Sequence, residues 1–119
     1  MTYVDGFVAP VLTGKRDAYR DMARRAAPIF LEHGALQVVE SLSDDVPHGK
    51  QTDFYRAVAA EDGELINFSW IVWPSKEARN AGMEKVMADD RMKQLDDMPF
   101  DMKRMIFGGF EVILDTLND

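Results

Sequence analysis

The sequence predicts an α+β domain on the plan βαββαβ: an antiparallel four-stranded sheet with two helices on one face. Three observations lead there. Between two strand-like segments, residues 14–33 place apolar side chains three and four apart, the spacing of an amphipathic helix. The second half of the chain repeats the same strand–helix–strand order. Within it, the strand over 64–73 is apolar on both faces: Ile66, Phe68, Trp70 and Val72 point one way, Leu65, Ser69, Ile71 and Trp73 the other. Helices on one side of a sheet leave its second face polar. Here that face is apolar as well, and a second copy of the chain is the expected cover.

The elements follow in order. Tyr3–Val11 reads as a strand with Tyr3, Asp5, Phe7 and Ala9 on one face, and Pro10, which has no N–H to donate, closes it. Thr13 is placed to cap a helix from Gly14 to His33 carrying Tyr19, Met22, Ala23, Ala26, Ile29 and Phe30. Pro28 sits inside that helix, and Gly34 is its natural stop. Leu36–Leu42 is the second strand. The stretch from Ser43 to Gly63 is too long for a bare loop, and Thr52–Val58 is expected to form a short helix or strand extension. After the strand at 64–73, Ser75 caps a helix to about Asp89, residues 90–97 add a helical turn, and Lys103–Leu114 forms the last strand.

Composition narrows the classes. The 119 residues form one domain, 1–119, at 46% hydrophobic and 29% charged. A net charge of −7 argues against nonspecific nucleic-acid binding, which needs cations on phosphates. There is no membrane-length apolar run, no visible signal peptide and no cysteine, which fits a cytoplasmic protein. Without a Cys pair or His-x-x-x-His spacing no zinc site is expected, and no Walker, Rossmann or Gly-x-Ser-x-Gly signature calls for a cofactor.

Several segments together resemble a bacterial family, the YbaA-like proteins: Tyr3-Val-Asp-Gly-Phe7, Lys15-Arg-Asp-Ala-Tyr19, Asp44-Asp-Val-Pro47, Thr52-Asp-Phe54, Phe68-Ser-Trp-Ile71, Pro74-Ser-Lys76, Met98-Pro-Phe-Asp101 and Lys103-Arg-Met-Ile106-Phe-Gly-Gly-Phe110. The resemblance covers nearly the whole chain and implies a ferredoxin-like fold of the dimeric α/β-barrel kind. Better-known branches of that superfamily include cofactor-free monooxygenases, isomerases and decarboxylating enzymes. The chain departs from the family pattern at Leu42, Val72, Met102 and Phe107, where a Trp, a Glu, a Gly and a Tyr are usual. Two of these departures remove a carboxylate and a phenol.

Asp5, Phe7, Phe68, Trp70 and Arg104 are the candidate ligand-binding residues. Asp5 interrupts an apolar strand and needs a cation; Arg104 on a neighbouring strand is the candidate, with Asp101 as a competitor for it. Trp70, Phe68 and Phe110 fit two readings, the wall of an apolar pocket or the dry core of a dimer interface. Ser41 and Asn67 are further hydrogen-bonding groups. His33 is read as a helix-end residue and His48 as a turn residue. The arginines of the first helix are read as a solvated face, and Gly108-Gly109 as a bulge or close backbone approach. Two functions remain open: a small-molecule cleft, weakly catalytic by fold analogy, or a non-enzymatic dimerisation or interaction module.

Overall fold

The computed structural model describes residues 2–95 and 98–118. Its elements are β1 (Tyr3–Val11), α1 (Arg16–Glu32), β2 (Gln37–Leu42), α2 (Phe54–Ala57), β3 (Leu65–Trp73), α3 (Lys76–Ala88), α4 (Asp90–Lys93) and β4 (Ile106–Glu111). The strands lie in the order β2-β3-β1-β4, every neighbour antiparallel, which is the ferredoxin-like arrangement expected. The helical turn over 90–97 is present as α4, while Asp96 and Asp97 lie outside the described residues.

Alternation along β3 sorts the sheet into two faces. Asn67, Ser69, Ile71 and Trp73 are buried under α1 and α3, whereas Phe68, Trp70 and Val72 on the other face are not. The segment between β2 and β3 folds over one end of that open face. Phe54 of α2 meets Phe68 edge-on at 6.0 Å between centroids, and Val58 and Ile66 are buried there. Beyond this cover the open face stays apolar: Phe68 is 43%, Ile106 46% and Phe110 60% exposed. Contiguous apolar surface of this kind is unfavourable in water.

Local chemistry explains most boundaries. Ser75 caps α3, its Oγ accepting from the Ala78 N–H at 3.0 Å. Gly34 follows α1 at φ +109°, a conformation side chains disfavour. Pro28 sits within α1 without ending it. Thr13 does not cap α1 as expected. The chain first makes a turn closed by Lys15 N–H to Leu12 O, and the helix starts at Arg16 with no side-chain cap. Pro10 does not close β1 either, because β1 stays paired with β3 through Val11. The Pro10 carbonyl accepts from Asp101 N–H at 3.1 Å, on the side where the β4 ladder has already ended at Val8, so its missing N–H breaks no ladder bond. β4 begins only at Ile106, since Asp101 holds residues 103 and 104 in a turn.

The dry end of the covered face is built around Trp73, fully buried against Ala35 and Ile71. A Cβ on Gly82 of α3 would strike the Trp73 ring and come within 2.6 Å of the His33 carbonyl, so only glycine lets α3 approach so closely. Gly109 is a close approach too: a Cβ there would meet the Tyr3 hydroxyl and Arg79. His33 pairs with Asp89 at 3.0 Å and so ties the end of α1 to the α3–α4 junction. Arg91, which also grips Glu32, is the main cause holding the Asp89 carboxyl well below the usual range.

Asp5 is 4% exposed at this end, but its cation is not Arg104. Arg79 of α3 holds it through Nε and Nη2 at 2.9–3.1 Å, and Trp73 Nε1 donates to it at 3.0 Å. The ladder register explains the correction. Gly109 lies opposite Asp5 and Ile106 opposite Val8, which leaves residue 104 beyond the far end of the shared ladder. There Arg104 binds Glu64 at 2.7 and 2.8 Å and Asp101 at 2.7 Å, so the competing partner is realised. Removing the cation from a buried pair leaves an uncompensated charge. Arg79→Met should therefore cost about 3 kcal/mol in urea denaturation, and the added Asp5→Asn change should recover part of it. A loss under about 1 kcal/mol, the value of a surface pair, would contradict the structural role assigned to Arg79.

Candidate functional site

The inward face of β3 changes character along its length, from Trp73 and Ile71 to Ser69 and Asn67. Small polar residues at the second end leave space that a Trp fills at the first. The result is a cavity of about 190 Å³ between α1, α3, α4, the 98–105 segment and the sheet. Its walls include Phe7, Phe30, Val38 and Ile71, together with seven of the eight methionines in the sequence. Methionine is unbranched and polarizable, so this lining adapts its shape to what it encloses.

The polar end of the cavity is a hydrogen-bonded group centred on Glu40 of β2. Tyr19 of α1, packed edge-on against Phe100, donates its hydroxyl to Glu40 Oε1 at 2.6 Å. Asn67 Nδ2 donates to the same oxygen at 3.0 Å and to the Ser41 carbonyl at 3.3 Å. Tyr19, Asn67 and Ser69 are buried, at 5%, 2% and 5% exposure. Glu40 lies on an edge strand and is exposed as a residue, but the Oε1 side of its carboxyl is enclosed by these partners. Loss of water pushes its pKa upward, and hydrogen bonds from Tyr19, Asn67 and Ser69 pull it partly back. Burial, reinforced by the Glu40 charge, pushes the Tyr19 phenol far up, so it stays a proton donor at every ordinary pH. The arrangement can bind one polar group of a mostly apolar molecule and exchange a proton with it.

The five residues expected to line one cavity are divided between locations. Phe7 lines the cavity. Asp5 is on the same covered face, engaged by Trp73 and Arg79 at the dry end. Phe68 and Trp70 stand on the open face, edge-to-face at 5.5 Å, and Arg104 lies in the turn before β4. Tyr19 and Glu40 belong to the site but were not among the candidates. Their signal was present for Glu40: Val38, Glu40 and Leu42 share one strand face, so a carboxylate interrupts an apolar stripe. His48, expected in a turn, is an exposed loop residue stacked on Tyr55 at 4.2 Å, with Nδ1 3.7 Å from Asp53. Among the described residues no group of three His, Cys, Asp or Glu is placed to hold a metal, and no helix is long and apolar enough to cross a membrane.

Comparison with known proteins agrees with this architecture. Residues 2–102 match the family described as "Protein of unknown function (DUF1428)". The chain is 59% identical over 116 residues to the uncharacterized protein YbaA of Escherichia coli K12, covering 97% of this chain and 99% of that protein, and equally to YbaA of Shigella flexneri. Solved structures of similar fold include an uncharacterized NIPSNAP domain protein from Burkholderia xenovorans, with TM-score 0.56 and 11% identity over 92% of this chain and 93% of that one. Another is SnoaB, a cofactor-independent oxygenase from Streptomyces nogalater, with TM-score 0.53 and 13% identity over 95% of each chain. At such identities the likeness carries the fold. With a family match over most of its length and close full-length relatives, the chain belongs to the DUF1428 family, together with the YbaA proteins.

Proposed function

We propose that this protein binds a small, mostly apolar molecule in the methionine-lined cavity and transfers a proton between that molecule and Glu40. The observation that carries the reading is Glu40 itself: a partly desolvated carboxyl with a raised pKa at the polar end of an apolar cavity. In its ionised form Glu40 takes an acidic proton from a carbon or oxygen of the ligand. Once Glu40 carries the proton its hold on the Tyr19 O–H and Asn67 N–H weakens, and these donors turn to the anion that forms; returning the proton to a different atom completes an isomerisation. The size suits a single ring, since an apolar cavity of about 150 Å³ already accommodates benzene.

The reading is tested by deuterium exchange at the benzylic carbon of 1-phenyl-2-propanone and related aryl ketones in D₂O, followed by proton NMR. Wild type should accelerate exchange, with a rate that rises with pH through a pKa above the free-glutamate value of about 4.3. Glu40→Gln should lose about 10²-fold or more. Stability has the matching sign. The folded state binds the Glu40 proton more tightly than the unfolded chain does, so wild type should lose stability relative to Glu40→Gln as pH rises through that window. No acceleration across the ketone panel, together with a pH-independent difference in melting, would defeat the proposal.

We further propose that two copies pair through the open sheet face, with Phe68, Trp70 and Phe110 in the buried centre, and that the dimer works in the cytoplasm. Aromatic residues in such numbers fit the core of an interface, and an isologous contact uses the same patch twice. Sedimentation velocity at micromolar concentration should show a dimer, and Trp70→Glu should yield a folded monomer. A wild-type monomer would refute the pairing.

A further inference from the structure

On the other side of the Tyr19–Glu40 hydrogen bond, a groove of about 390 Å³ runs between α1 and the β2 edge. Tyr19, Ala27, Val38 and Glu40 line both the groove and the cavity, so the two spaces are neighbours that share a wall at that pair. Arg16, Arg20 and Arg24 of α1 also line the groove. Their spacing of four puts all three along one stripe of the helix. All are exposed, and none makes an ion pair or hydrogen bond to a described residue. By contrast, Arg79, Arg91 and Arg104 are each held by a carboxylate. Arginines on a solvated helix face are ordinary; these are set apart because they line a groove that shares four wall residues with the cavity, in a chain of net charge −7.

We propose that the groove is an anion subsite and that the ligand is an organic acid, its apolar body in the cavity and its carboxylate on Arg20, flanked by Arg16 and Arg24. This rests on the cavity reading above and adds the class of molecule. The planar guanidinium matches a carboxylate in two parallel hydrogen bonds. Asp17 and Glu40 also line the groove, so three cations face two carboxylates there. That balance favours a single negative charge over the double charge of a phosphate monoester.

The test uses 4-phenylbutanoate and its uncharged analogue 4-phenylbutanamide, with affinities read by titration calorimetry. Wild type should bind the acid about tenfold more tightly than the amide, the factor that one charge-assisted contact supplies. Raising the salt concentration should erode the preference. Arg20→Gln/Arg24→Gln should bring the acid down to the amide's affinity with an unchanged melting temperature, because neither side chain is engaged in the fold. Arg25→Gln, outside the groove, should retain the preference. Equal binding of acid and amide by wild type, or a preference that survives the double substitution, overturns the anion subsite while leaving the cavity reading intact. Failure of wild type to bind either probe overturns both.

Discussion

The structure depends on one constraint, the alternation of side chains along the central strand β3. Period two sends Trp73, Ile71, Ser69 and Asn67 under the helices and Val72, Trp70 and Phe68 to the open face. Because the covered set runs from a Trp to an Asn, the helices can close down at one end only. At that end Gly82 admits Trp73, and Asp5 is satisfied by the indole and by Arg79. At the other, missing side-chain volume becomes a cavity whose polar wall is Asn67 and Ser69 with Tyr19 and Glu40. Tight packing and open volume are thus separated along one strand face.

The two ends treat buried charge differently. Asp5 faces a bidentate guanidinium, and its oxygens are spoken for. Glu40 has neutral donors, with Tyr19 and Asn67 on Oε1, and makes no ion pair among the described residues. A carboxylate gripped by arginine is held in its charged form, whereas one that is desolvated and bonded only by neutral donors has its pKa raised. The aromatic residues on the open face belong to neither device. Phe68 and Trp70 point away from the helices and so do not contribute to the cavity.

What could be read from the residues depended on how local the cause was. Ser75 capped α3 as its position implied, because a cap and its N–H lie three residues apart. Both faces of β3 were legible because alternation needs no tertiary information. Arg104 was misplaced because pairing with Asp5 requires the β1–β4 register, which a short turn held by Asp101 displaces. The methionine lining was invisible for a similar reason: Met22, Met83, Met92 and Met98 come from four separate segments that only the tertiary fold assembles. Glu40 was the one legible residue passed over. It stands between Val38 and Leu42 on the covered face, where a carboxylate calls for an explanation.

The most direct measurement of the central claim is a crystal structure of the protein under xenon pressure. Xenon enters preformed apolar cavities and avoids polar, water-filled ones. The account predicts xenon density between the helices and the sheet, beside the methionines and within reach of the Tyr19–Glu40 pair, with those two side chains unmoved. A cavity closed by collapsed methionine side chains, or filled by a chain of ordered waters with no xenon, would contradict it.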